Sequence, residues 1–418
     1  MKILVLNSGS SSQKSSLYDI RGDLPTEPPK PDWEAKIEWD GDRAEIKVAT
    51  AAGAALNDRL PTGSRREATE ELLKNLWTGP ARILGKASEI SIVGHRIVNG
   101  GKDYEQPTLI TAEVKAAIAR MAGFAPLHNR AELEGIEIAE QRLGSVPQVA
   151  VFDTGFHSRM PEPAVVYPGP YEWLERGIRR YGFHGINHQY CAERAAQMLG
   201  KDLAAPHLVT CHLGNGCSLA AIREGHSVDT TMGFTPLEGL MMGTRSGSVD
   251  PGILIYLLRE NHLTGDQMDA LLNTKSGLLG ISGVSGDMRQ VIGAMKDGNE
   301  RAKLAFEIFV HRLRSCLGSM IAVLGGIDAL VFTAGMGENS PEVRAAACAN
   351  LAFIGAKLDP KKNAQPRLDA DISYPDSRVR ILVIRAQEDW AIARDCWRLA
   401  SGDANHTQDT RGNRGRVM

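Results

Sequence analysis

Two turns built from glycine, serine and asparagine, each directly behind an apolar strand, constrain this chain more than any other feature. The first follows Ile3-Leu4-Val5-Leu6 and reads Asn7-Ser8-Gly9-Ser10-Ser11-Ser12-Gln13-Lys14. The second follows His207-Leu208-Val209-Thr210-Cys211-His212 and reads Leu213-Gly214-Asn215-Gly216-Cys217-Ser218. Each runs on into a return strand, Ser16-Leu17-Tyr18-Asp19-Ile20 and Leu219-Ala220-Ala221-Ile222. Small residues let backbone N–H groups and hydroxyls crowd around a phosphate chain without a bulky side chain in the way. A single turn of this kind is ordinarily a hairpin, and neither fits the Walker pattern or the dinucleotide fingerprint. The pair, one in each half of the chain, points to a duplicated α/β fold closing on a nucleotide from both sides.

At 418 residues the chain is long enough for two domains of ordinary size. A hydrophobic fraction of 43% with 23% charged residues is that of a globular protein. The net charge of −2 gives no polyelectrolyte field for nucleic acid or an anionic membrane surface. No apolar run has the length of a membrane span. The first residues form a strand, so no signal peptide is expected and a cytoplasmic location is. Cys191, Cys211, Cys217, Cys316, Cys348 and Cys396 form no C-x-x-C pair and read as reduced, packed thiols. Neither a solenoid repeat nor a metal-type Cys/His spacing is present.

Alternation in Ala35-Lys36-Ile37-Glu38-Trp39 and Ala44-Glu45-Ile46-Lys47-Val48, behind a proline-rich stretch, predicts edge strands of an antiparallel sheet. Helices are expected over 70–77, 111–121, 252–260, 300–324 and 390–399, and a polar loop around Pro126-Leu127-His128-Asn129. Buried strands are expected at 90–93, 149–152, 329–332 and 379–384. Asp153 stands at the carboxyl end of one of them, where ligands gather in open α/β sheets. The polar stretch 401–418 has no apolar periodicity and reads as a frayed tail.

Charged groups stand out where folding explains them least. Gly94-His95-Arg96-Ile97-Val98-Asn99-Gly100-Gly101 and Met242-Gly243-Thr244-Arg245-Ser246-Gly247-Ser248 each set an arginine among glycines. Two planar guanidinium forks could clamp a phosphoryl group in transfer, although each alone could equally be a surface ion pair. His184 lies in Tyr181-Gly182-Phe183-His184-Gly185 and could be a structural donor instead. Asp153 has a turn or cap as its plain reading. Glu388, behind the last strand, is a candidate metal carboxylate or simply a first-turn helix acid.

These motifs resemble those of the acetate kinase family, which belongs with sugar kinases, actin and heat-shock chaperones. The resemblance runs from Met1 to about Arg394 and is weakest between Arg21 and Lys86. It rests on the first turn, on Phe183-His184-Gly185, and above all on 233–247, Gly-Phe-Thr-Pro-Leu-Glu-Gly-Leu-Met-Met-Gly-Thr-Arg-Ser-Gly. The stretches 276–283 and 332–340 complete the set. The resemblance implies two duplicated ribonuclease-H-like domains of the actin and sugar-kinase type with a cleft between them. Their expected limits are 1–152 and 153–386, with a helix at 387–400 packing back on the first.

The resemblance also implies roles. Arg96 and Arg245 would hold the acceptor carboxylate and the transferring phosphoryl, Asp153 would lie beside the reacting oxygens, and His184 would stabilise the transition state. Asn7 and Glu388 would position Mg²⁺ or Mn²⁺, partly through water. Lys14, His212, Leu213, Gly214, Asn215 and Gly216 would meet the ATP phosphates. Asp287, Met288 and Arg289, with Gly335, Met336, Gly337, Glu338 and Asn339, would frame the adenosine. Val98, Leu127, Phe183 and Pro236 would wall a small acyl pocket. A homodimer through the carboxyl-terminal domain is implied as well.

The expected reaction is reversible transfer of the γ-phosphoryl of ATP to acetate, giving acetyl phosphate and ADP. A carboxylate is already anionic at neutral pH, its pKa being roughly 4. No strong base is therefore needed, and positioning, a cation and two arginines answer the charge problem. Direct in-line transfer without a phosphoenzyme is expected, with domain closure excluding water. Propionate is the rival acceptor, since one methylene in an apolar pocket is worth only about 1–3 kcal/mol. A nucleotide sensor with little catalysis is the alternative from another class. The chain departs from the family's usual residues at Asn99, Arg130 and Gly155, in Ile186-Asn187, and in Ala386-Gln387. Asn99 and Arg130 bear on acyl-chain preference.

Overall fold

The computed structural model describes residues 1–9, 12–40, 43–61, 64–121, 126–366 and 369–402, with the side chains of 40 and 126–130 outside that description. The expected tail therefore lies almost wholly outside the described residues. Two compact units emerge: Met1–Gly155 joined by the chain from Gln387, and Phe156–Ala386.

The first unit holds an eight-stranded sheet. Its strands are β1 (Lys2–Ser8), β2 (Ser12–Asp19), β3 (Trp33–Asp40), β4 (Arg43–Thr50), β5 (Ala55–Pro61), β6 (Ile92–Ile97), β7 (Thr108–Leu109) and β8 (Gln148–Phe152), in the order β5-β4-β3-β2-β1-β6-β8-β7. β1 and β2 are an antiparallel hairpin around the first glycine turn, with Asn7 opposite Lys14. β6 runs parallel to β1, and β8 parallel to β6. These three strands are buried almost end to end, as parallel strands covered on both faces must be. Helices Ala112–Met121 and Pro126–Leu143 cover the sheet, and helix Glu388–Ser401 packs on β1 and β6.

The second unit holds a six-stranded sheet of β9 (Leu208–Leu213), β10 (Cys217–Arg223), β11 (His226–Thr230), β12 (Ala329–Thr333), β13 (Ala370–Asp371) and β14 (Arg380–Val383), in the order β11-β10-β9-β12-β14-β13. The pattern of the first sheet returns. β9 and β10 are an antiparallel hairpin around the second glycine turn, and β12 and β14 add in parallel. Helix Glu300–Leu324 is started by Asn299, whose side chain accepts from Ala302 N, and is ended by Gly325 at φ 72°. Five cysteines are buried and Cys316 is half-buried, all as free thiols.

Three local expectations are corrected. The stretches around Ile37 and Ile46 are interior strands, and the edge belongs to β5, which buries none of its residues fully. An antiparallel strand wet on one face alternates just as an edge strand does, so the pattern could not separate the two. Pro126-Leu127-His128-Asn129 is no loop but the first turn of helix Pro126–Leu143. Proline suits that position because first-turn N–H groups have no intrahelical partner to lose. The helix expected at 70–77 is Arg65–Lys74, capped by Ser64, whose hydroxyl accepts from Glu67 N.

Contact between β6 and the carboxyl-terminal helix leaves no room at Gly94. A Cβ there would lie 2.6 Å from both Cys396 Sγ and Ile392 Cγ2. Gly94→Ala is expected to lower unfolding free energy by about 1–3 kcal/mol, read by urea denaturation.

Candidate active site

The parallel strands of the first unit deliver three polar residues to their carboxyl ends: Asn7 on β1, Arg96 on β6 and Asp153 just past β8. Arg96 donates from Nε (3.0 Å) and Nη2 (2.5 Å) to Asp153 Oδ2. The Asp153 side chain is 1% exposed and that of Arg96 14%. Burial works against the Arg96 charge, yet the Asp153 carboxylate, with Glu388 and Glu132 farther off, holds its pKa above the ordinary value. Removing either partner of such a buried pair leaves the other uncompensated.

Asn7 is held from the carboxyl-terminal helix. Its Nδ2 donates to Asp389 Oδ1 (2.9 Å) and Glu388 Oε2 (3.3 Å), and Ser16 Oγ donates to Asp389 Oδ2 (2.8 Å). Asn7 and Glu388 thus meet as expected, with Asp389 as a partner the sequence reading passed over. An amide and a carboxylate oxygen are hard donors that suit Mg²⁺, which takes few protein ligands and keeps several waters. Among the described residues no group of three or more His, Cys, Asp or Glu could hold a metal. The donors fit an ion that completes its shell with water and phosphate oxygens.

Behind Arg96 the segment Val98–Gly101 is braced. Glu132 Oε1 and Oε2 both accept from Val98 N, at 3.2 and 3.1 Å. Buried Asn99 accepts from Gly101 N through Oδ1 at 2.8 Å. Val98 is buried, and Leu127 lies on helix Pro126–Leu143 with its side chain outside the description. Glu132 was not anticipated. It sits one residue before Leu133-Glu134 on a helix of mixed charge, and nothing in that pattern marks which acid faces inward.

In the second unit, His184 stands at φ 59°, a left-handed conformation that non-glycine residues seldom adopt, just before helix Gly185–Leu199. Its ring stacks on His212 with centroids 4.0 Å apart and planes 11° from parallel. Asn187 Nδ2 donates to His212 Nδ1 (2.8 Å), which leaves the neutral ring's proton on Nε2. A Cβ at Gly216 would lie 3.4 Å from His184 Nε2 and 3.5 Å from Arg245 Nη1. His184 and Arg245 therefore converge on the second glycine turn. Arg245 Nη1 also donates to Pro236 O (3.1 Å), and buried Phe183 gives its carbonyl to His157 Nε2 at 3.1 Å.

Beside that turn opens a cavity of about 630 Å³ lined by Gly214, Asn215, Asp287, Met288, Arg289, Gly335, Met336 and Asn339 among others. Asp287 caps helix Met288–Lys296, accepting from Arg289 N at 2.9 Å. Ile292 and Lys296 also line the cavity and were missed, although Met288, Ile292 and Lys296 fall at helical i, i+4 spacing. Ala334 opens the next loop at φ 64°. Leu213 is wholly buried, Gly337 is buried, and Glu338 Oε1 accepts from Ala334 N (3.0 Å) and Ala386 N (2.8 Å). These three shape the cavity's frame and do not line it. Lys14 is exposed on β2 of the first unit.

A hairpin around a glycine turn, with parallel strands beside it on each of two sheets, fits a phosphotransferase. Residues 2–394 match the Acetokinase family. An acetate kinase of Cyanothece sp. is 58% identical over 401 residues, covering 96% of this chain and 98% of that protein. The crystal structure of Porphyromonas gingivalis acetate kinase superposes with a TM-score of 0.87 at 38% identity, covering 96% of this chain and 99% of that one. That of a propionate kinase from Francisella tularensis gives 0.86 at 37% identity, covering 95% and 99%. The chain belongs to the acetokinase family.

Glu132 carries a pH signature. Burial, opposed by Arg96 and the Val98 N–H, pushes its carboxyl up to about 8 from 4.5. Between those values the unfolded chain loses this proton and the folded chain keeps it, so stability falls as pH rises through the window. Glu132→Gln removes that component, and the fall of Tm with pH between about 4.5 and 8 is expected to flatten. An unchanged slope would show that Glu132 is ionised in the folded protein.

Proposed function

We propose that this protein transfers the γ-phosphoryl group of ATP reversibly to acetate, by direct in-line displacement without a phosphoenzyme. The observation that carries the reading is the convergence of His184 Nε2 and Arg245 Nη1 on the Gly216 turn, beside a cavity large enough for a nucleoside. Near full-length likeness to acetate kinases supports the choice of acceptor.

In this reading the cavity takes the adenosine, and the N–H groups around Gly214 and Asn215 receive the phosphates. His184 and Arg245 donate to the equatorial oxygens as charge spreads over them. Arg96 orients the acceptor carboxylate, with Val98 beside it as an apolar neighbour for the acyl chain. Asp153 is committed to Arg96, so its task is to fix that guanidinium and not to abstract a proton. Asn7 and Glu388 would hold Mg²⁺, which would supply positive charge to the phosphate oxygens when bound.

A hydroxamate assay with ATP and Mg²⁺ should give turnover with the highest kcat/KM for acetate among acetate, propionate and butyrate. Arg245→Ala should lower kcat by about 10²–10³ while ATP still binds. A propionate preference would reassign the acceptor, and tight ATP binding without turnover would make the protein a sensor. Stable, kinetically competent label on protein from γ-labelled ATP alone would overturn direct transfer.

We also infer a homodimer. Helix Pro251–Glu260 buries none of its residues and exposes Ile253 (49%), Ile255 (49%), Tyr256 (62%) and Leu258 (40%), an apolar face that suits a second copy. Light scattering should give twice the chain mass, and Ile253→Asp with Tyr256→Asp should give the monomer. No helix among the described residues is long and apolar enough to cross a membrane, and a cytoplasmic location goes with ATP as substrate.

A further inference from the structure

His184 does not meet the protein interior alone. Its Nδ1 lies 2.9 Å from Ser218 Oγ on β10, and the same hydroxyl lies 2.7 Å from His188 Nε2, one helical turn further along. His188 Nδ1 in turn lies 2.7 Å from Thr210 Oγ1 on β9. Ser218, His188 and Thr210 are each 0% exposed. Four residues from three elements thus form one continuous hydrogen-bonded chain, and the proposed reaction uses only its last member.

The chain's direction follows from counting protons. Burial, then the neighbouring rings of His157 and His212, hold His188 well below the ordinary imidazole pKa, so it is neutral and donates from one nitrogen only. Suppose Nδ1 carries that proton. It then donates to Thr210, Ser218 donates back to His188, and the Thr210 hydroxyl proton has no acceptor in this chain. Suppose instead that Nε2 carries it. Thr210 then donates to His188 Nδ1, His188 Nε2–H donates to Ser218, and the Ser218 hydroxyl donates to His184 Nδ1. Every proton is used. With Nδ1 accepting, neutral His184 must carry its own proton on Nε2, the atom that faces the Gly216 turn beside Arg245.

We propose that Ser218 and His188 are positioning residues for His184, fixing its ring plane and tautomer so that an N–H at Nε2 is aimed at the transferring phosphoryl group. Histidine partners of this kind act on the group that does the chemistry without touching substrate. The inference rests on the place given to His184 in the reaction above, but the tautomer itself does not.

The first test is ¹⁵N NMR of the histidine-labelled full chain without substrates, near neutral pH. The expected result is a His184 ring with bare Nδ1 and protonated Nε2; protonated Nδ1 with bare Nε2 would overturn the proposal. The second is kinetic. Ser218→Ala should lower kcat about tenfold to a hundredfold, with KM for ATP and acetate changed by less than about twofold. Ser218→Thr, which keeps the hydroxyl, should recover most of the loss. A folded Ser218→Ala enzyme with wild-type kcat would also overturn the proposal. If neither variant folds, the wild-type spectrum still decides. Absence of turnover with any carboxylate would sink the proposed reaction, and the tautomer would stand or fall separately.

Discussion

Parallel registry of three strands in each sheet is the constraint on which the remainder depends. Pairing Leu6 with His95 and Ile97 with Phe152 brings the carboxyl ends of β1, β6 and β8 level. Asn7, Arg96 and Asp153 are therefore neighbours although far apart in sequence. Pairing Thr333 with His212 does the same for β9 and β12, setting the glycine turn beside the Ala334–Asn339 segment. A one-residue slip would turn every such side chain to the opposite face. The buried apolar strands are what forbid it, so the core fixes the chemistry's geometry before any polar contact forms.

Within that frame the surroundings of Arg96 and of His184 handle charge differently. Around Arg96 an ion pair with Asp153 is buried, beside a neutral carboxyl at Glu132 that burial keeps protonated until about pH 8. Behind His184 lie buried neutral imidazoles and hydroxyls, His188 with Ser218 and Thr210. Burying an ion demands a partner at fixed distance, whereas a neutral chain demands only that its protons run one way. Both solutions hold a donor rigidly before substrate arrives, which is the condition for electrostatic catalysis.

Much of this was legible in the residues. Glycine and serine behind apolar strands announced both turns, and arginines among glycines announced Arg96 and Arg245. Features set by tertiary partners were not legible. Glu132 reads as one more helix acid because inwardness depends on which helix face meets β6. Ser218 and His188 look like a small strand residue and a helix histidine, and only folding brings them to one hydroxyl's reach of His184. The interior place of β3 and β4 was hidden because β5 lacks the apolar alternation by which a covering strand is recognised.

The carboxyl-terminal helix has a consequence for how the protein comes into being. It supplies Glu388 and Asp389 to Asn7 and fills the space over Gly94, yet it follows the whole second unit in the chain. A nascent chain emerging from the ribosome can fold its second unit while the first still lacks a covering layer and the carboxylate partners of Asn7. Assembly of the first unit is thereby postponed until the second has been made, and a chain cut before Gln387 would keep the cavity beside the second glycine turn without the carboxylates that Asn7 meets.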